Sequence, residues 1–459
     1  MLFNTILSKS GIKKALRSDK DLSELFWGSA TSLIIKISSI GISYLFTLLV
    51  LYLYNPSEWG IFSLSLASMM IFAIPGRLGL DTAIVRFTSE YLTESNVNKL
   101  QDYYQKSFIL VLLSSIACTI LMYFFCGFLA ESLFKKPVVT QSLKIMSLGI
   151  IPMNILFLNA ESLRGHKEIK LYSFYKTVAS YAFCIPLLYV ITKAADIKFN
   201  PEISYVIGLW ISMVLSIISW NKKLKLNYTL KNQEHSFSEI IKVAFPMLLT
   251  TSLIFLLGWT GSFAIGIFRQ DPSEVGIYQV ALRLSALTSL PVLAINSIAA
   301  PKFASLNSLK DTEGLEKVIR QSTKMTFWVS LPILSIFIAF PEFILSLFGK
   351  EFKSAALALI FISIGQFISS ICGSVGNLLQ MTGHQNKMQT IILIGTAVNI
   401  YLNYLLIPKY GIAGAGFASM IGVAVWNLSA VYVIWKEMNI TTIYIPNIKK
   451  IGKRIKNFI

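Results

Sequence analysis

Apolar stretches of about 20 residues, each long enough to cross a hydrocarbon core ~30 Å thick, recur along the whole of this 459-residue chain. No other feature limits the fold so strictly. Within lipid, backbone N–H and C=O groups must be paired inside the segment itself, so each stretch can only be a helix. Twelve spans are read, at roughly 29–53, 60–80, 107–134, 142–163, 169–192, 203–220, 240–268, 276–300, 325–348, 355–380, 389–407 and 411–435. Only 14% of residues are charged and the mean hydropathy is +0.63, whereas a soluble domain carries roughly 25% charged residues. Nothing is left over to build a sizeable soluble domain. The fold class is an all-α polytopic membrane protein.

The net charge of +18 invites a nucleic-acid reading, but the cations cluster at the ends of spans. With the N-terminus placed in the cytoplasm, and Lys170 counted at the inner edge of its span, the inner segments hold 27 Lys and Arg against 8 in the outer loops. That asymmetry puts both termini on the cytoplasmic side and argues against a nucleic-acid partner; the expected location is a bacterial or archaeal cytoplasmic membrane. The basic N-terminus carries Asp19, Asp21 and Glu24 and then enters a full-length span, which reads as a retained anchor. Beyond the last span, Ile448, Ile451, Ile455 and Phe458 recur at helical spacing among Lys449, Lys450, Lys453, Arg454 and Lys456. Such a tail suits the anionic lipids of the inner leaflet as well as it suits solvent.

The chain also repeats itself. Asn55-Pro-Ser-Glu-Trp-Gly-Ile-Phe62 returns 216 residues later as Asp271-Pro-Ser-Glu-Val-Gly-Ile-Tyr278. At the same offset, without a gap, Pro75 meets Pro291, Ala83 meets Ala299, Arg86 meets Lys302 and Phe87 meets Phe303. A fainter echo links Leu163-Arg-Gly-His166 to Met381-Thr-Gly-His384. Each copy holds six spans, an even number, so both insert with the same orientation. A pseudo-two-fold along the membrane normal and a central cleft between two lobes follow. The expected organisation is a basic cytoplasmic N-terminus (1–28), an N-lobe (29–220), a cytoplasmic linker (221–239), a C-lobe (240–435) and a basic cytoplasmic tail (436–459). In each duplicated segment the Ser can cap a helix whose positive end favours the Glu.

Three groups of residues carry a resemblance: Glu58-Trp-Gly-Ile-Phe-Ser-Leu64, Gly276-Ile-Tyr-Gln-Val-Ala-Leu-Arg283, and Ile407-Pro-Lys-Tyr-Gly-Ile-Ala-Gly-Ala-Gly-Phe-Ala418. With the twelve spans and short outer loops, they resemble the polysaccharide flippases, a branch of the multidrug/oligosaccharidyl-lipid/polysaccharide exporter superfamily. The resemblance implies a transporter, not an enzyme. Its substrate would be a lipid-linked oligosaccharide, usually on undecaprenyl diphosphate, moved from the inner to the outer leaflet for surface polysaccharide such as O-antigen, capsule or exopolysaccharide. Other polysaccharide-assembly proteins are the partners it leaves room for. No cofactor is implied, and coupling to a Na⁺ or H⁺ gradient stays open.

A diphosphate in a membrane cleft needs cations, because an unsatisfied charge in an apolar medium is prohibitively costly. None of the 23 Asp and Glu sits near the middle of a span, whereas several Lys and Arg lie inside one. Intramembrane charges are usually functional. Lys36 shares a helix face with Ser29, Ser32, Ser39, Ser43 and Thr47; the bland alternative is a packing seam with Lys36 snorkelling inward. Arg283 lies seven residues into its span, one turn after Gln279, and its repeat counterpart is Ala67. Lys176 is aligned with Ser173, Ser180 and Cys184, and Arg77 lies near an inner end. Gln366, Ser370, Ser374 and Asn377 form a polar row for sugar hydroxyls, or a packing seam. Pro75 and Pro291, inside spans, are expected to kink their helices and to shape or flex the cleft. The run Gly411-Ile-Ala-Gly-Ala-Gly416 follows no strand and reads as close helix packing rather than a nucleotide loop.

The rival readings are a multidrug/cation antiporter of the same superfamily, which needs buried acids, and a lipid II flippase, which often has two further helices. A membrane polymerase or ligase would want a large outer loop. The four cysteines lie in apolar segments and the three histidines lack partner spacing, so neither a disulfide framework nor a metal site is expected.

Overall fold

A computed structural model describes residues 38, 40–194, 199–224 and 236–446. Among these residues every regular element is helical. In chain order they are α1 (Ile40–Leu53), α2 (Pro56–Arg77), α3 (Leu80–Thr93), α4 (Val97–Gly127, continued by a π-turn to Leu133), α5 (Val139–Ser147), α6 (Ile150–Gly165), α7 (Ile169–Ala194, through a π-turn at Phe174–Val178) and α8 (Pro201–Leu224). Then come α9 (Phe237–Phe268), α10 (Pro272–Ala286), α11 (Leu290–Ser308), α12 (Thr312–Ala339), α13 (Pro341–Ser346), α14 (Ala356–Cys372), α15 (Val375–Met381) and α16 (Gln385–Met438). Nine helical stretches are long and apolar enough to cross a bilayer, and the pair α5–α6, bent by 43°, makes a tenth. The long α16 is broken at Gly411, where φ is 54° and ψ −131°, and α1 is a shorter apolar helix.

The chain divides into two compact units, 1–252 with 270–276, and 253–269 with 277–459. In the first, α2 packs on α4, α5 and α6, α3 on α6, and α7 on α8. Burial separates helices that hydropathy alone would rank the other way. The apolar window of α2 has hydropathy 1.6 and is 78% buried, whereas that of α4 has 2.4 and is 22% buried. Lipid is as apolar as leucine, so it takes the oilier helix, and small residues such as Ser63, Ser65 and Ser68 of α2 let its neighbours approach.

α2 starts at Asn55, whose side-chain oxygen accepts from the Glu58 N–H at 2.9 Å. Pro56 takes the first helical position, where its missing N–H costs nothing. The capping residue is therefore Asn55 and not the expected Ser57, because Pro56 already sits inside the helix. α2 ends at Leu78 and Gly79, both at positive φ (54° and 76°). A side chain at Gly79 would lie 2.7 Å from the Leu248 nitrogen, so that position is closed to other residues by both conformation and space.

In the second unit α14 packs on α16 and α12, α11 on α12, and α15 on α16. Its main core joins Phe303, Leu315 and Ile319 to Leu378, Leu379, Ile391 and Ile434. The glycine run serves packing: a side chain at Gly416 would lie 2.6 Å from the Ala358 Cα. Residues 439–446 follow α16 without regular structure, with Ile440 and Thr442 buried and the Tyr444 N–H donating to the Ile371 carbonyl at 3.2 Å. The basic part of the tail lies outside the described residues.

Candidate functional site: a charged cluster in the first unit

Of the predicted site residues, the structure brings Arg77 and Lys176 together. Arg77, in the last turn of α2, pairs with Asp81 of α3 at 3.2 Å across the Leu78–Gly79 break. Its guanidinium lies 5.2 Å from the ring centre of Phe157 on α6. The ammonium of Lys176 lies 3.9 Å from the same ring. One turn after Phe157, Glu161 takes both neighbouring cations: Lys176 at 3.1 Å on one carboxylate oxygen and Arg164 at 3.3 Å on the other. Arg164 in turn covers the Tyr172 ring at 5.4 Å. The cluster holds three cations and two carboxylates, so its formal charge is +1.

Each part is placed by local structure. The double positive-φ turn after α2 brings Arg77 and Asp81 face to face. Lys176 rides on the π-turn Phe174–Val178, whose extra residue shifts the register of α7. Ser173 and Cys184 are buried, while the Lys176 side chain remains 22% exposed. Glu161 and Arg77 are 9% and 13% exposed. Within such an enclosed site a charge pair is far stronger than at an open surface. A cation at the face of an aromatic ring gains further attraction, ~2 kcal/mol when desolvated.

Phe157 and Glu161 do not stand out in the sequence as site residues. A signal is there all the same: Phe157, Glu161 and Arg164 stand at helical steps of four and three, which puts an aromatic, an acid and a base on one face.

The remaining predicted residues do not join this cluster. Lys36, with Ser29, Ser32 and Ser39 of its stripe, lies outside the described residues. The described part of the stripe bonds its own helix, Ser43 to the Ile40 carbonyl at 2.8 Å and Thr47 to that of Ser43 at 3.0 Å. In the second unit Gln279 is buried and donates to Ser262 at 2.6 Å, and Arg283, one turn on, is half-buried. The row Gln366, Ser370, Ser374 and Asn377 does not occupy one helix. Gly373, at φ 78°, ends α14, and Asn377 belongs to α15. Ser370 is held by Ser330 at 3.0 Å and Thr326 at 2.8 Å, which makes it packing. Pro75 lies inside α2, but Pro291 opens α11 after a 3₁₀ turn at Leu287–Ser289, so only the first sits within a helix. Among the described residues no group of His, Cys, Asp or Glu could hold a metal.

The family model for polysaccharide biosynthesis proteins matches residues 48–357, more than half of the chain. The chain belongs to the polysaccharide biosynthesis protein family. Among relatives of this membrane transporter family, the probable flippase AglR of Haloferax volcanii is 24% identical over 447 residues, covering 94% of this chain and 87% of AglR. The probable low-salt glycan biosynthesis flippase Agl15 of the same organism is 28% identical over 172 residues, 37% of this chain and 36% of Agl15. A solved structure of the lipid II flippase MurJ in an inward closed conformation superposes with a TM-score of 0.71 at 17% identity, covering 87% of this chain and 86% of that one. The likeness to MurJ is one of fold, an all-helical multi-span architecture. The chain is a multi-pass membrane protein of polysaccharide biosynthesis.

Proposed function

We propose that this protein flips an undecaprenyl-diphosphate oligosaccharide from the inner to the outer leaflet of the cytoplasmic membrane. In this reading the two halves, divided near residues 221–239, form lobes about a pseudo-two-fold along the membrane normal. Both termini face the cytoplasm, where the basic tail touches anionic lipid. Rocking of the lobes exposes the cleft to one side at a time.

The observation that carries the reading is the cationic excess of the Arg77–Phe157–Lys176 cluster, enclosed among helices of the first unit yet reachable at Lys176. Lys176 and Arg77 would take the diphosphate, each by displacing its carboxylate. Glu161 keeps Lys176 compensated when the site holds no substrate, because an unpaired buried charge is costly. Arg283, Gln279, Lys36, Gln366 and Asn377 would meet the sugar or the diphosphate elsewhere along the path. A cation antiporter is disfavoured by the same geometry, since Glu161 is already held by two cations.

The test is deletion of the gene followed by mass spectrometry of the lipid-linked glycans. Accumulation on the inner leaflet, with loss of the surface polymer, is expected. A deletion strain that exports normal amounts of every surface glycan would remove the proposal.

A further inference from the structure

The face of α6 that carries the charged cluster begins one turn before Phe157, at Asn154. Asn154, Phe157, Glu161 and Arg164 follow steps of three, four and three. Asn154 and Ser115 of α4 are fully buried, and the Asn154 Nδ2 donates to the Ser115 hydroxyl at 2.9 Å. That hydroxyl lies 3.4 Å from the Gly76 carbonyl of α2, and the Ser114 hydroxyl reaches the same oxygen at 2.6 Å. A polar relay therefore runs from α6 through α4 to the residue before Arg77.

The Gly76 carbonyl needs these donors because α2 stops. A continuing helix would bring it the N–H of Leu80, but Leu78 and Gly79 turn the chain at φ 54° and 76°. The last carbonyls of a helix find no partner within it. The Ser114 hydroxyl has one hydrogen, and the Leu110 carbonyl at 2.7 Å competes for it, so Ser115 is the second donor within reach. The approach of α6 requires glycine at 76, since a Cβ there would lie 2.6 Å from the Asn154 Nδ2.

The second copy serves as a control. At the 216-residue offset Ser114 and Asn154 become Ser330 and Ser370, and these two still bond, at 3.0 Å. Gly76 becomes Val292, inside α11, which runs on to Ser308, and Ser115 becomes Leu331. The bridge between neighbouring helices is thus shared, whereas the link onto a helix end belongs to the copy whose helix breaks. Asn154 also carries a cost. Its Oδ1 has no hydrogen-bond partner among the described residues, and a buried acceptor without a donor lowers stability. Packing alone does not explain the residue.

We infer that Ser114, Ser115 and Asn154 are positioning residues for Arg77. They fix the broken end of α2 so that the guanidinium stays on Asp81 and the Phe157 ring. This rests on the proposed reading of Arg77 as a ligand of the diphosphate.

The experiment treats the purified full-length protein, in lipid nanodiscs, with phenylglyoxal, which modifies arginine. Modification of each arginine is timed by peptide mass spectrometry. In the wild type Arg77 is shielded and reacts slowly. Ser114→Ala combined with Ser115→Ala strips the Gly76 carbonyl, and modification of Arg77 should quicken at least about fivefold while Arg164 and Arg283 keep their rates. Asn154→Ala leaves Ser114 in reach of Gly76 and should quicken Arg77 only about twofold; it carries the test if the serine pair folds poorly. An unchanged rate at Arg77, or equal acceleration at all three arginines, overturns positioning and makes the relay general packing. Export in a complemented deletion strain gives a second readout. It should fall about fivefold on loss of the two serines, and no further where Arg77→Ala is already present; a full additional loss in that background also overturns the inference. The labelling needs no substrate. If the deletion strain traps no glycan while Arg77 alone labels faster, the flippase reading fails and the positioning stands.

Discussion

The two copies of the repeat enter their second span alike and then part company. In the first copy α2 runs unbroken from Pro56 to Arg77 and breaks at Leu78–Gly79. In the second copy the break comes two turns earlier by repeat position, at the 3₁₀ turn Leu287–Ser289, and α11 then continues to Ser308. One residue explains why the second copy does not turn where the first does. The equivalent of Gly79 is Ile295, and a β-branched side chain cannot adopt the positive φ that Gly79 adopts. The helix therefore passes through the position where the first copy turns. The charged cluster depends on that turn, since Arg77 meets Asp81 across it. The second copy has Leu293 and Ser297 at those places, and its cation, Arg283, stands where the first copy has Ala67. Shared residues build the scaffold; the charges sit where the copies differ.

The largest expected effect comes from forcing the copies to agree. Gly79→Ile places the second copy's residue in the first, against the backbone of α9 and at positive φ. A loss of stability beyond about 3 kcal/mol is expected from strain and overpacking together, seen as collapse of the monodisperse peak in detergent chromatography. The reverse change, Ile295→Gly, loses about 1 kcal/mol of helix propensity and also the packing of a partly buried side chain on the second unit's core, a further ~2 kcal/mol. A Gly79→Ile variant as stable as the wild type would mean that Gly79 does not set the difference.

Charge reversal comes next. Lys176→Glu sets a second carboxylate against Glu161 and removes the cation from Phe157. Export of surface polysaccharide in a complemented deletion strain should fall by at least about tenfold, the equivalent of 1.4 kcal/mol. Lys176→Arg should retain most of it. In the second copy, Arg283→Ala restores the repeat's own residue, so the fold should be unharmed and export should fall only a few-fold. Normal export in both Lys176→Glu and Arg283→Ala would separate these cations from the substrate path.

The proline pair offers a finer comparison. Pro75 lies within α2 and lacks a helix hydrogen bond, whereas Pro291 occupies the first turn of α11, where none is required. Pro75→Ala should therefore change the flipping rate several-fold, and Pro291→Ala less than about twofold. Unchanged transport in the double variant would dismiss flexing at both sites.

Much of this is legible in the amino-acid sequence. The helical spans follow from apolar length, because lipid permits no other backbone. The repeat follows from identity at one offset. That offset also pairs Gly79 with Ile295, so the contrast between a turn and a continuing helix is written in the residues themselves. Arg77 and Lys176 stand out as intramembrane cations. Their meeting at Phe157 does not, because it joins three helices and depends on a π-turn that no hydropathy pattern marks. The polar row of the second unit misleads for a related reason. Its helical spacing runs straight through Gly373, where the helix stops.

The smallest effect concerns a buried lysine. Lys136 is buried in the loop after α4, and burial lowers its ammonium from 10.5 to about 8, only partly opposed by the charges of Glu274 and Asp271. The folded state thus binds this proton less tightly than the unfolded chain. Below about pH 8 the cost of burying the charged form is present in full, and it falls away as pH rises toward 10.5. Over that window the folded protein should gain stability from this group. Lys136→Met removes the proton altogether, so the variant should begin more stable at pH 7.5 and show a smaller rise in melting temperature up to pH 10. If wild type and variant change in parallel, Lys136 is hydrated in the folded protein, and the acids of the second copy's segment do not meet a buried cation there.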